Sequence, residues 1–321
     1  MRFFQIALLA LSLGPGPSVA MEFPLAPDQA AVGRDSVHVV QPGRLLMDVA
    51  RDYNLGYVQF MAANQGVDPW LPKAGSTVRI PGFYLLPDGP RRGLVVNLAW
   101  HRMFYFPEDG GRVETYPLGV SVLGAETPLG TTKIVRKQQN PTWVPPPSIR
   151  AERPELPGVV RPGPDNPLGS AAFYLGWERV LIHGTNKPDG VGRTVSHGCL
   201  HLYPEDIDAL FPRLPVGTPV TVIDEDAAVA WVGPRLYVQI YPTKEQSVEI
   251  EQTGKIQSHI PSFKLLQRVA AAAESQNARV DWTAVERAAY VRTGLPTLVA
   301  TSPGSVNIAS GARAKEPGFA K

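Results

Sequence analysis

Proline and glycine recur throughout this chain and limit the length of any helix or strand that it can form. Its 321 residues include 33 prolines and 30 glycines. Proline removes a backbone donor and both residue types favour turns, so their frequency predicts many turns and strand ends rather than long helices. Apolar residues make up 44% of the chain and charged residues 19%, values typical of a globular protein with a sizeable core. We therefore expect a mixed, mainly β fold, and the length favours more than one domain.

The N-terminus has the pattern of a secretory signal. A basic start at Arg2 precedes an apolar run from Phe3 to Leu13 and a small-x-small cleavage pattern that ends at Ala20. The apolar run is about half of the roughly 20 residues that a membrane-spanning helix requires. We therefore expect residues 1–20 to be a signal peptide cleaved after Ala20, with an uncleaved anchor as the alternative, and no later transmembrane span. The net charge of +2 is too small to indicate a nucleic-acid partner.

The chain contains a single cysteine, Cys199. Exported proteins commonly use cysteines in disulfide pairs, so a lone one leaves an intermolecular bridge, an inert buried thiol, a metal ligand or a nucleophile. His197 and His201 lie two positions to either side of it, and in an extended segment the three side chains share one face. A third histidine, His183, lies 16 residues before Cys199, across a loop whose glycines and proline can fold the strand back.

The residues around Cys199 suit nucleophilic chemistry. A free thiol with a pKa of ~8.5 is largely protonated at neutral pH, so a cysteine nucleophile requires a nearby imidazole or dipole. Gly198 removes a side chain where a substrate carbonyl would approach backbone N–H groups, which predicts an oxyanion hole. A zinc site is the chemical alternative, because zinc binds nitrogen and sulfur, although His-x-Cys-x-His in an extended strand is an unusual chelate. Its ligands would be His183, His197, Cys199 and His201.

Two regions with different patterns follow the signal. Residues 36–81 predict a strand, two helices and a closing strand. Residues 93–224 alternate apolar and polar residues in short runs, which is typical of strands joined by turns. A stretch rich in proline, glycine and polar residues at 137–170 interrupts this pattern, and so long an irregular segment is typical of a lid or a binding loop.

The C-terminal part predicts an α+β extension over residues 231–296. LYVQIYP and SVEIEQ predict a hairpin, and a helical region from Ser262 to Gly294 follows it. Thr283 and Glu286 form a capping-box pattern inside that region. Residues 301–321 have the composition of a disordered tail.

The segment IHGTNKPDGVGRTVSHGCLHL resembles the signature of the L,D-transpeptidase catalytic domain, the YkuD family. That signature is a His-Gly pair, some fourteen to seventeen residues, and then Ser/Thr-x-Gly-Cys. Residues 93–224 are similar to the family throughout, including TPLGTTKI, NPTWVPPPSIR and PGPDNPLG. Residues 36–81 resemble a LysM domain, a small glycan-binding module, in AANQGVDP and the final G-x-x-V-x-IP. The arrangement is similar to the periplasmic proteobacterial subgroup and implies a β-sandwich-like catalytic domain with short helices.

The resemblance assigns roles to individual residues. It implies that Cys199 is the nucleophile and His183 the general base and acid. The catalytic support that it implies comes from the Gly184 carbonyl, which orients His183, from the Gly198 backbone in the oxyanion hole, and from Ser196 and His197 as auxiliary groups. The substrate-binding residues expected on the same basis are Thr185, His201, Trp143, Asn166 and Tyr174. His201 departs from the family, which usually has Arg or Asn there, so we expect substrate binding to depend more on pH.

The resemblance also implies a reaction. Cys199 would form a thioester with the third residue, diaminopimelate, of a peptidoglycan tetrapeptide stem and release D-alanine. An amine would then take the acyl group, from a second stem in a 3→3 cross-link, from a lysine of an outer-membrane lipoprotein, or from a free D-amino acid. Carbapenems would acylate Cys199, and no metal or organic cofactor is implied. A cysteine hydrolase or L,D-carboxypeptidase on the same fold and a non-catalytic wall-binding protein are the alternatives.

Overall fold

A computed structural model describes residues 21–256 and 261–303 of the chain. The predicted signal peptide and residues 304–321 of the predicted tail lie outside these ranges. No helix in the described residues is long and apolar enough to cross a membrane.

The first seven elements include two small antiparallel pairs of strands. They are β1 (Met21–Pro24), β2 (Ala31–Gly33), β3 (Ser36–Val39), α1 (Leu46–Asp52), α2 (Tyr57–Ala63), β4 (Thr77–Ile80) and β5 (Phe83–Leu85). β3 pairs with β4 and β2 with β5. Residues 36–81, hereafter the N-terminal unit, therefore have the predicted order of strand, helix, helix and strand. Every residue of α2 is buried, which indicates that this helix is covered by more than its own small unit.

A nine-stranded mixed sheet forms the centre of the molecule. The next elements are β6 (Gly93–Asn97), β7 (Arg102–Phe106), β8 (Arg112–Pro117), β9 (Val120–Ser121), β10 (Gly130–Gln139), α3 (Pro147–Glu152), β11 (Ala171–Leu175), β12 (Leu181–His183), β13 (Thr194–Ser196), β14 (Leu200–His201), α4 (Pro204–Leu210) and β15 (Pro219–Ile223). The strand order is β1-β8-β7-β6-β15-β10-β11-β12-β14, and β9 pairs with β13 in a separate parallel ribbon. The mainly β prediction is confirmed.

The alternation of side chains across this sheet decides where a site can form. Phe173 of β11, Ile182 of β12 and Leu200 of β14 lie in one hydrophobic core with Ile207 of α4. Because successive residues of a strand point to opposite faces, their neighbours along β12 and β14 point away from this core. β14 is the last strand of this sheet, and Gly119 bridges to His201 on its outer side.

Two elements of this region were absent from the sequence prediction. β10 has only Ile134 buried among its ten residues, so its sequence carries almost no apolar alternation. The stretch at 137–170, hereafter the strap, contains the short helix α3, which begins at Pro147. Proline is well tolerated in the first helical turn because its missing N–H has no intrahelical partner there.

The C-terminal extension differs from its prediction in two ways. Its elements are β16 (Ala227–Val232), β17 (Arg235–Ile240), α5 (Lys244–Thr253), α6 (Phe263–Glu274), α7 (Trp282–Val291) and β18 (Pro296–Thr301). The hairpin is formed by β16 and β17, whereas SVEIEQ is helical within α5. A capping box between Thr243 and Gln246 and a left-handed Gly254 define that helix, and they outweigh the alternating pattern.

The boundaries of the last elements also differ from expectation. The N-cap of α7 is Asp281, whose side chain accepts from Ala284 N at 3.0 Å, rather than Thr283. The extension continues past residue 296, because β18 pairs with β17 and completes a three-stranded sheet.

Candidate active site

The parallel pairing of β12 and β14 places His183 beside the segment that follows Cys199. Ile182 lies opposite Leu200, and His183 lies opposite His201. Cys199 immediately precedes β14, and a backbone hydrogen bond from Leu181 reaches its thiol. The rings of His183 and His201 are in contact, with centroids 4.5 Å apart. The loop between the two strands therefore folds back as its glycines predicted.

His183 is buried and held in one tautomer. Its Nδ1 lies 2.6 Å from the carbonyl oxygen of Gly184. A carbonyl only accepts, so Nδ1 carries the hydrogen and Nε2 is left without one. Burial lowers the pKa of His183 to about 4, although backbone hydrogen bonds to Gly184 and Leu168 oppose this. The imidazole is therefore neutral at physiological pH and can accept a proton at Nε2.

The Cys199 thiol is partly buried at the edge of the sheet. Its Sγ lies 3.5 Å from the carbonyl oxygen of Arg179, to which the thiol donates. Burial raises the pKa of Cys199, and a backbone hydrogen bond from Leu181 only partly offsets that rise. The resting pair is thus a neutral thiol and a neutral imidazole. A poorly solvated site disfavours the charged forms of both groups.

A glycine turn fixes the backbone on the N-terminal side of Cys199. Gly198 has φ +98°, a conformation that L-residues with a side chain rarely adopt. A Cβ there would have Ala125 O as its nearest neighbour at 3.7 Å, so backbone conformation rather than crowding requires glycine. Ser196 Oγ donates to Cys199 O at 2.5 Å, and Thr127 Oγ1 donates to Gly198 O at 3.2 Å. These bonds hold both carbonyls of the turn in place.

The turn also corrects the prediction of one continuous extended segment. Strand geometry ends at Ser196 and resumes at Leu200, because Gly198 reverses the backbone between them. His197 consequently leaves the face that carries Cys199. It is exposed, and its Nε2 lies 3.1 Å from Glu152 Oε2 of the strap helix α3.

His201 lines a cavity of about 810 Å³ together with Trp143 and Thr185. Arg153, Lys187 and Arg193 add positive charge to its walls, and Asp165 and Asp189 add negative charge. Burial and the neighbouring His183 place the pKa of His201 well below its ordinary value. His201 is therefore neutral at physiological pH, and the expected pH dependence of substrate binding through its titration near 6.5 does not fit this environment.

Comparisons with known proteins identify the family. Residues 91–222 match the family model for the YkuD L,D-transpeptidase catalytic domain. The probable L,D-transpeptidase YcfS of Escherichia coli (strain K12) is 36% identical over 92% of this chain and 93% of that protein. The probable L,D-transpeptidase ErfK/SrfK of the same strain is 42% identical over 67% of this chain and 72% of that protein. The chain belongs to the L,D-transpeptidase family.

The protein is thus a transpeptidase, and peptidoglycan is the substrate that its family implies. A solved structure, that of the Ldtfm-avibactam carbamoyl enzyme, is 21% identical over 48% of this chain and 55% of that chain, with a TM-score of 0.35.

Two residues expected to bind substrate in this L,D-transpeptidase lie away from the cavity walls. Asn166 is fully buried, and its amide nitrogen donates to Pro141 O at 2.8 Å while its oxygen accepts from Leu168 N at 2.9 Å. It therefore holds the two ends of the strap together. Tyr174 lies opposite Leu181, on the same face of the sheet as His183, with the Arg136 guanidinium 3.5 Å from its ring centroid.

The N-terminal unit of the L,D-transpeptidase is docked directly on the loop that joins His183 to Cys199. Tyr57 N and Val58 N, at the start of α2, donate to the carbonyls of Val191 and Gly192 at 3.4 and 3.0 Å. The first N–H groups of a helix have no intrahelical partner, so the loop caps α2. The sequence carried no clear signal of this contact, because its only mark is a glycine on each side, Gly56 and Gly192.

A second contact joins the N-terminal unit to α4. Arg51 forms a bidentate ion pair with Glu205 at 2.9 and 2.8 Å, and Asn54 Nδ2 donates to both carboxylate oxygens of Asp206 at 3.1 Å. Burial raises the pKa of Asp206 to about 7, although the bond from Asn54 opposes the rise. The N-terminal unit therefore has a fixed orientation relative to the sheet edge that carries Cys199.

The described residues contain no assembled ligand set for the alternative zinc site. Across residues 21–256 and 261–303, no three or more His, Cys, Asp or Glu side chains are grouped so as to hold a metal ion. His197 is directed to Glu152 instead of joining the other three candidate ligands.

Proposed function

We propose that Cys199 is the nucleophile of a two-step acyl transfer on peptidoglycan stems and that His183 is its general base and acid, in an enzyme exported to the periplasm. The observation that carries this is the shared face of β12 and β14. There the register sets His183 opposite His201, two residues after Cys199, and Gly184 O lies 2.6 Å from His183 Nδ1. Geometry of this kind leaves Nε2 free to take the thiol proton.

The first step forms a thioester. The Cys199 proton moves to His183 Nε2 as the sulfur attacks the carbonyl carbon of the third stem residue, and the carbonyl oxygen becomes an oxyanion. Backbone N–H groups of the turn at Gly198 support the oxyanion. The carbon–nitrogen bond to the terminal D-alanine then breaks, and its amine takes the proton from His183.

The second step transfers the acyl group. An incoming amine loses a proton to His183 as it attacks the thioester, and the sulfur leaves as a thiol once that proton is returned. The acceptor is an amine of a second stem, a lysine of an anchored lipoprotein or a free D-amino acid. Water as acceptor gives the carboxypeptidase or hydrolase alternative on the same residues.

The N-terminal unit would act as the glycan-binding part. Its resemblance to LysM supports this role, and its rigid docking on the catalytic region would present Cys199 at a constant position relative to a bound glycan strand. Holding enzyme and stems together raises the local stem concentration without any new catalytic contact.

The test uses purified tetrapeptide muropeptide and measures D-alanine release by wild type and by Cys199→Ala. Wild type should release D-alanine and the variant should not. Competing amines added together, namely a second muropeptide, a lysine peptide and a D-amino acid, identify the acceptor by product mass. Release that persists in Cys199→Ala would contradict the proposal, and glycan binding without any release in wild type would favour a wall-binding protein.

A further inference from the structure

Helix α5 of the C-terminal extension contacts β13 and the segment that follows β9, the two strands of the ribbon that leads into Cys199. Its residues Lys244 and Glu251 are seven positions apart, two helical turns, so they project from the same side of the helix. We propose that α5 is a clamp that positions Cys199, and that Lys244 and Glu251 are its two positioning residues. This inference rests on the proposed function, because it assumes that Cys199 carries the reaction.

Glu251 holds the strand before the nucleophile. Its Oε1 accepts from the backbone N–H of Thr194 at 2.8 Å, and Thr194 begins β13. β13 ends at Ser196, whose hydroxyl bonds Cys199 O. The carboxylate is partly buried at this contact, and hydrogen bonds from backbone N–H groups to charged acceptors are stronger than neutral ones.

Lys244 holds the segment that follows the partner strand β9. Its Nζ donates to Val122 O at 3.1 Å and lies 3.3 Å from Glu126 Oε1. Val122 N in turn donates to Ser196 O at 2.9 Å, and Glu126 Oε1 accepts from Gly124 N at 2.7 Å. Thr127, the next residue, donates to Gly198 O. The lysine is therefore connected through short chains of hydrogen bonds to both sides of the glycine turn.

The ribbon needs such external support because it is very short. β9 has two residues and β13 has three, so the ladder between them supplies few hydrogen bonds. Segments with few internal bonds sample other conformations unless their neighbours restrain them. Catalysis is sensitive to this, since misplacing a reacting group by about 1 Å can cost ~100-fold in rate.

The clamp itself is anchored elsewhere. The capping box at Thr243 and the left-handed Gly254 define both ends of α5. Ile250 is fully buried in the core of the N-terminal unit, and Gly66 N donates to Gly254 O at 3.4 Å. α5 is therefore held by its own caps and by the N-terminal unit, independently of the ribbon that it contacts. A linker without such contacts could not restrain the ribbon.

The test compares kcat and KM for D-alanine release in the full chain. Glu251→Ala and Lys244→Met should each lower kcat about 10- to 100-fold. KM should stay within about twofold in Lys244→Met, whereas a rise is expected in Glu251→Ala, because Arg193 and Val195 on either side of Thr194 line the cavity. Glu251→Gln keeps an oxygen acceptor for Thr194 N and should restore kcat to within about threefold of wild type. Gln252→Ala, an exposed position on the same helix, is the matched control and should leave kcat unchanged.

Unchanged kcat in folded Glu251→Ala and Lys244→Met would overturn the clamp while leaving a Cys199-dependent reaction intact. Equal losses in Glu251→Gln and Glu251→Ala would also overturn it, because a bond to Thr194 N would then not be the cause. If Glu251→Ala does not fold, the comparison of Lys244→Met with Gln252→Ala decides. Loss of the dependence on Cys199 itself would instead contradict the proposed function.

Discussion

At the scale of single residues, the site combines a protonated thiol with a histidine that burial keeps neutral. The sequence predicts which residues these are, because the His-Gly pair and Ser-x-Gly-Cys carry the family signature. It did not show their protonation, which depends on how deeply β12 is buried. Nor did it show the positive φ at Gly198, which interrupts the extended backbone between His197 and Cys199.

The neutral state of His183 makes a prediction about pH. His183 accepts a proton only when it is neutral, and its pKa is lowered to about 4. The acid limb of the pH profile for Cys199 acylation should therefore lie near pH 4, instead of near the ordinary histidine pKa of ~6.5. The rate of Cys199 acylation, measured between pH 3.5 and 8, gives the midpoint of the acid limb. Circular dichroism at each pH confirms that the protein is folded. A midpoint at 6 to 6.5 would contradict this account of the site.

Gly198→Ala should impair the site through backbone strain alone. A non-glycine residue at φ +98° costs about 1 to 3 kcal/mol, and relief of that strain would shift the carbonyls bonded by Ser196 and Thr127. We expect acylation to slow at least 10-fold. Gly158→Ala is the control, since that glycine has no positive φ and a Cβ there would have open space. Equal acylation rates in the two variants would count against the role of the turn.

At the scale of elements, local signals decided which predictions succeeded. The apolar residues of β6 and β7 are closely spaced and buried, as expected of strands within residues 93–224, whereas β10 has one buried residue and was absent from the prediction. SVEIEQ alternates like a strand, but the caps at Thr243 and Gly254 make it a helix. The docking of α2 on the loop before Cys199 had no local signal, because it joins segments that are far apart in sequence.

Gly192→Ala tests that docking. Gly192 has φ +78°, and a Cβ there would lie 2.2 Å from Gly56 Cα, so the backbone has to move. We expect the free energy of unfolding to fall by roughly 3 kcal/mol or more, since strain and a backbone clash act together. Gly217→Ala has φ +98° with nothing near its Cβ and reports the strain alone. Urea unfolding that shows no larger loss for Gly192→Ala than for Gly217→Ala would contradict the close contact.

At the scale of the whole molecule, the N-terminal unit, the sheet and the C-terminal extension act as one body around Cys199. The sequence predicted these regions and the family, but treated the outer two as attachments. Their contacts depend on buried polar pairs such as Asn54 with Asp206, and pairs that meet only in the fold leave no mark in the chain.

Asp206 should give the stability of the whole chain a distinct pH dependence. Its pKa is raised from 3.8 to about 7, so between these values the native state binds a proton that the unfolded state releases. The free energy of unfolding should therefore fall as pH rises from 4 to 7, by at most about 1.4 kcal/mol per pH unit from this group. Asp206→Asn has no such proton, so the stability of wild type relative to the variant should decline across that interval and level off above pH 7. Urea unfolding of both proteins at each pH measures the difference between their free energies of unfolding. A wild-type-minus-variant difference that stays constant or rises with pH would contradict the prediction.

Covalent capture of Cys199 tests the assignment of the nucleophile most directly. Wild type and Cys199→Ala are incubated with a carbapenem, and the mass of each intact protein is measured. We predict a single adduct of one carbapenem on wild type and none on Cys199→Ala. Wild type without an adduct, or an adduct of equal yield on the variant, would contradict the account of Cys199 as the acyl-forming group.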